Sequence, residues 1–228
     1  MVARHAELLV LLLAVVGNLV VFGIIPRAAY LPANLVLAVS VLVVARGAGM
    51  TASELGLGRT ALRRGLRIGL ISSLAVLAIV ALGIAAPTRP LFADARAIAP
   101  RGLAAAYESF LRIPVGTALT EEVLFRGVLV GLALRRFTPR RVVAHSALLF
   151  GLWHILPAVV SLEAQTAGIV SQTPRGLILM IIGTVAATSV AGVCLTILRL
   201  TSGSIVAPLL PHATLNIAAF WAARFAAS

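Results

Sequence analysis

Long unbroken apolar runs limit what this chain can fold into more than any other feature. Most are about 18 to 24 residues, enough to cross a hydrocarbon core of roughly 30 Å at 1.5 Å rise per residue. Seven candidate spans can be read, at 8–25, 31–45, 66–86, 113–134, 141–160, 175–198 and 203–223. The second is short for a span. The first opens near Arg4 and His5 as a signal peptide would, but its run exceeds a usual signal core and another span follows at once, so it is kept as a helix.

Only 11% of the 228 residues are charged, where a soluble domain carries roughly a quarter. One membrane domain over 1–228 is therefore expected, with the bilayer as its partner. The net charge of +12 raises a nucleic-acid reading, which the distribution opposes. Arginines stand at the ends of apolar runs, as topology determinants do, so no nucleic-acid partner is expected. All 19 basic residues are Arg, a bias of GC-rich genomes that points to a bacterial cytoplasmic membrane. Arg46, Arg59, Arg63, Arg64 and Arg67 form one cluster, and Arg135, Arg136, Arg140 and Arg141 another. If each intervening span crosses once, both lie on one side, expected to be cytoplasmic. The segment 87–112 carries Arg89, Arg96, Arg101 and Arg112 with Asp94 and Glu108 among apolar residues, and fits an amphipathic helix at the interface. Cys194, the single cysteine, lies in an apolar run and reads as a small buried hydrophobe.

With seven acidic residues in the chain, each placement is informative. Glu7, Glu54, Asp94, Glu108 and Glu163 fall at span ends or in loops. Glu121 and Glu122 lie inside the fourth span, where an ionised carboxylate costs about 2.5–3.5 kcal/mol near the bilayer centre. Glu122 and Arg126, four apart, can pair within one helical turn. Glu121 then has no local partner and suits a general base. In the fifth span Phe150 and His154 share a face, and Pro157 is expected to bend or end the helix. In the seventh, His212 and Asn216 stand one turn apart beside Pro208 and Pro211. His145 reads as a packing residue.

Three spans thus bring a carboxylate, two imidazoles, an amide and a guanidinium to middle depths, the parts of a water-activating hydrolytic site. The expected fold is an all-α polytopic transmembrane helical bundle of about seven spans, with a polar cavity between its C-terminal helices. Glu121, helped by His154, could activate water while His212 and Asn216 donate to an oxyanion. Glu121, His154 and His212 could instead hold a divalent metal such as zinc, and spacing does not choose between a metal and none. No His-Glu-x-x-His stands on one helix.

The ordered set Glu121-Glu122-x-x-x-Arg126, Phe150-x-x-x-His154 and His212-x-x-x-Asn216 resembles the CPBP family, which comprises type II CAAX prenyl endopeptidases and Abi-like bacteriocin-processing or self-immunity membrane proteins. The motifs span 121–216, within a catalytic core expected at 113–223. The resemblance implies a helical bundle with a conical cavity, water activation by Glu121 and His154, oxyanion stabilisation by His212 and Asn216, and support from Glu122 and Arg126. Family members are labelled metalloproteases, although a metal-independent glutamate mechanism is also argued. The first half matches only through Leu55-Gly56-Leu57-Gly58-Arg59. A bacterium need not prenylate proteins, so the expected substrate is a membrane-associated peptide or protein rather than a CAAX tail. Two other readings stand beside the intramembrane endopeptidase: a non-catalytic peptide-binding or immunity protein, and a transporter, since buried Glu, His and Arg also mark ion pathways.

Overall fold

The computed structural model describes residues 2–85, 97, 99–160 and 173–226. Among them there is no strand, and the chain is a helical bundle: α1 (Val2–Gly23), α2 (Tyr30–Gly47), α3 (Arg59–Ala85), α4 (103–134), α5 (Pro139–Trp153), α6 (Ile155–Val160), α7 (Pro174–Ser202) and α8 (Val206–Ala226). Among the described residues, six helices are long and apolar enough to cross a membrane: α1, α2 with the turn before it, α3, α5 with α6, α7 and α8. The chain is a multi-pass membrane protein. Helices α3 and α5 start earlier than the apolar runs at 66 and 141, because their arginine-bearing first turns are helical too.

The span expected at 113–134 is the one outside that set of six. It belongs to α4, which is wound in pieces and carries Glu121, Glu122 and Arg126. Over Glu108–Leu119 and Val123–Leu129 its turns are π-helical, and between them a short α-helical turn, Thr120–Glu122, presents both glutamates. Such wide turns are rare and concentrate at functional sites. Every residue from 120 to 133 is buried, so α4 is the bundle's axis. Helices α1 and α2 flank it, α8 packs on its first half and on α3, and α7 packs on α5. Large apolar side chains such as Leu12, Val15, Leu74, Leu82 and Ile182 are left exposed on the outer helices. A surface this apolar with charges inside is what lipid, rather than water, selects.

Residues 87–96 and 98, with Arg89, Asp94 and Arg96, lie outside the described residues, as does Glu163. From Leu103 onward the remainder of the proposed interfacial segment forms the first turns of α4.

The two arginine clusters meet at one end of the bundle. Arg135, after α4, donates from Nε to Glu54 Oε1 at 2.7 Å and from its two other nitrogens to the Ala48 and Gly49 carbonyls at 2.9 Å. The guanidinium holds Glu54 well below the usual carboxylate range, at about 2, with the Thr51 backbone N–H also lowering it. Arg136 reaches Glu7 on α1 at 2.5 Å. In the same region Arg199 of α7 threads under the 55–58 loop, donating to the Glu54 carbonyl at 2.8 Å and the Arg126 carbonyl at 3.1 Å. Gly56 permits this: at φ +73° any Cβ would sit 2.5 Å from Arg199 Nε.

Candidate active site

The expected bend in the fifth span falls at His154, three residues before Pro157. A proline has no N–H to return to the carbonyl four residues back, and its ring crowds that carbonyl, so α5 ends at Trp153 and α6 begins at Ile155. At the break the His154 backbone N–H turns to the Gly151 carbonyl at 3.1 Å. The Phe150 carbonyl takes the imidazole Nδ1 of His154 instead, at 2.7 Å. Because a carbonyl only accepts, Nδ1 carries the proton, and Nε2 is left to face the bundle interior.

It faces Glu121. His154 Nε2 lies 3.9 Å, and His212 Nε2 3.6 Å, from the same oxygen, Glu121 Oε2. That oxygen is buried and has no hydrogen-bond partner, whereas Oε1 accepts from the Trp153 indole at 3.1 Å. Two imidazole nitrogens thus converge, just beyond hydrogen-bond distance, on one unsatisfied carboxylate oxygen.

A second layer holds the first. Glu122 Oε1 accepts from Arg126 at 3.0 Å and lies 2.7 Å from His212 Nδ1. Glu122 and Arg126 are both fully buried. Arg126 lies 4.1 Å from the centre of the Phe150 ring and its other terminal nitrogen is 3.5 Å from the Gly192 carbonyl. Phe150 also packs edge-on against the His154 and His212 rings, with centres 4.6 and 5.8 Å away. Of the five described carboxylates, Glu7, Glu54, Glu108 and Glu122 each pair with an arginine. Glu121 alone has no arginine partner among the described residues; it meets the Trp153 indole and two imidazoles.

The structure thus joins Glu121, Glu122, Arg126, His154 and His212. Asn216 stands one turn beyond His212, partly buried, with no hydrogen bond among the described residues. His145 contacts Glu7 at 3.4 Å, away from this cluster. Trp153 is a site residue that the sequence pattern did not single out. Its indole looks like packing until the helix break turns it toward α4.

His and carboxylate donors suit zinc chemically, but a tetrahedral zinc with bonds of about 2.0–2.1 Å needs its donors roughly 3.3 Å apart. The spacings of 3.6 and 3.9 Å are wider, and no group of three or more His, Cys, Asp or Glu among the described residues is arranged to hold a metal. The donor set does not fit one in this geometry.

Beside the site, an apolar cavity of about 300 Å³ opens between α1 and the α5–α6 break, lined by Val15, Asn18, Leu19, Phe125, Leu152 and Trp153 among others. Trp153 both lines this cavity and donates its indole N–H to Glu121.

Residues 104–218, half of the 228-residue chain, match the pattern of the family described as Type II CAAX prenyl endopeptidase Rce1-like. The match covers all seven residues of the three motifs. No curated protein and no solved structure shows significant similarity to the chain.

Proposed function

Since the chain belongs to the Rce1-like family of type II CAAX prenyl endopeptidases, a family of proteases, we propose that it is an intramembrane endopeptidase cutting a membrane-associated peptide or protein segment with water activated at Glu121. The observation that carries this reading is the buried, unpartnered Oε2 of Glu121, aimed at the Nε2 atoms of two histidines.

A water held between Glu121 Oε2 and His154 Nε2 gives a proton to the carboxylate as its oxygen attacks the scissile carbonyl carbon. The carbonyl oxygen becomes an oxyanion. His212 can donate to it from Nε2 when the ring carries both protons, since Nδ1 is committed to Glu122. The positive charge of that ring then sits beside the Glu122 carboxylate. Asn216, one turn on, is the second donor once a substrate draws it in. Glu121 returns its proton to the departing amine nitrogen, and Glu122 with Arg126 keeps His212 in register. No step requires a metal.

Glu121→Ala and His154→Ala are expected to abolish cleavage while folded protein persists in membranes. The measurement is a membrane proteomic comparison of cells carrying wild type or Glu121→Ala, in which substrates accumulate uncut in the variant. Undiminished turnover of a verified substrate by Glu121→Ala would end the proposal.

A further inference from the structure

We infer that Trp153 is a positioning residue for Glu121, set in place by Asn18 of α1. The inference rests on the hydrolase reading but uses contacts outside the three motifs.

The chain of cause begins at Pro157, which cannot return an N–H to the Trp153 carbonyl one turn earlier. A buried carbonyl left open is costly, so a partner is required. Asn18 supplies it, donating from Nδ2 to the Trp153 carbonyl at 2.9 Å across 135 residues of sequence. Asn18 is itself buried in an otherwise apolar stretch of α1. With its backbone held there, Trp153 directs its indole N–H onto Glu121 Oε1 at 3.1 Å. Phe125 packs edge-on against the indole with ring centres 5.7 Å apart, limiting its rotation.

An indole is a donor only. It therefore occupies one carboxylate oxygen without competing for the proton, and fixes the carboxylate rotation that sends Oε2 toward His154 and His212. Without it, Glu121 could turn either oxygen to either histidine, and the water would have no single site. Positional control of this kind acts on the reacting geometry more than on substrate affinity.

Two measurements test it. On a verified substrate, Trp153→Phe keeps the ring packing, loses the donor, and is expected to lower kcat about ten- to a hundredfold with KM within a fewfold, as for loss of a hydrogen bond to a charged group. Asn18→Leu should give a smaller loss of the same kind. The second measurement needs no substrate. The chain has two tryptophans, so Trp221→Phe, at an exposed position of α8, leaves Trp153 as the one indole N–H signal in a nitrogen–proton correlation spectrum. That signal should move upfield on Glu121→Ala, and should move also on Asn18→Leu, although the Asn18 hydrogen bond is to the backbone. An indole signal indifferent to Glu121→Ala overturns the inference, as does a wild-type kcat for Trp153→Phe where Glu121→Ala is inactive. Turnover retained by Glu121→Ala would instead overturn the hydrolase reading, leaving the spectral result to stand by itself.

Discussion

Glu122 and Arg126 carry a large electrostatic liability in the middle of the bundle. Both are fully buried, and Arg126 Nε and Glu122 Oε2 have no hydrogen-bond partner. Such a pair adds little as a pair but is costly to halve, because the survivor is an uncompensated buried charge. Arg126→Met is therefore expected to destabilise the protein by about 3–5 kcal/mol. Adding Glu122→Gln should recover part of that loss. Thermal unfolding in detergent reads both, and a single variant as stable as wild type would contradict the bracing role. At this scale the sequence was most informative where charge is scarce. Seven acids in 228 residues make two adjacent glutamates within an apolar run conspicuous. Trp153 and Asn18 were illegible for the opposite reason: a tryptophan and one asparagine in apolar helices look like packing, and nothing in their spacing links residues 135 apart.

At the scale of elements, the decisive contact is the close crossing of α5 and α7. A Cβ on Gly192 would lie 2.9 Å from the Ala147 Cα, and one on Gly151 2.8 Å from the Val185 carbonyl oxygen. These are backbone atoms that cannot swing away. Gly151→Ala is expected to cost about 1–3 kcal/mol as overpacking does, and to lower cleavage by shifting Phe150 and His154. Gly183→Ala is its control, since nothing lies within 4 Å of a Cβ there. Equal effects of the two in thermal unfolding and turnover would mean that the crossing does not set the site. Apolar run length marked the helices well, while their inner detail escaped it. Pro157 announced a bend, yet the break lands at His154, because a proline disturbs the turn before it rather than the turn that follows. The π-helical turns around Glu121 had no signal at all, being a matter of how α4 is gripped by its neighbours.

Across the whole molecule, the arginine-rich end works as a clasp. Arg135 ties Glu54 and the carbonyls after α2 to the end of α4, and Arg199 runs beneath them. Glu54 has its pKa lowered from 4.5 to about 2 by this contact. A lowered carboxylate pKa gives stability that is complete above the unfolded value and lost as pH falls through the folded one. The stability difference between wild type and Glu54→Gln should hold at pH 7, shrink below about 4.5 and vanish near 2. The group is partly solvated, so the difference is expected to be small. Thermal midpoints across that range measure it, and a difference that grows on acidification would reverse the sign assigned here.

The hydrogen bond from Asn18 to the Trp153 carbonyl bears on how such a protein can be recombined. The three motifs lie within 104–218, but Asn18 lies on α1, Glu7 braces Arg136 from the same helix, and Glu54 braces Arg135 from the loop after α2. The matched half is therefore not a portable cassette. Grafted behind the first two helices of a relative, it would bring its glutamates and histidines unchanged while losing the grip that aims them. Two chains identical in every motif could then differ widely in turnover, the difference inherited from helices that carry no reacting group.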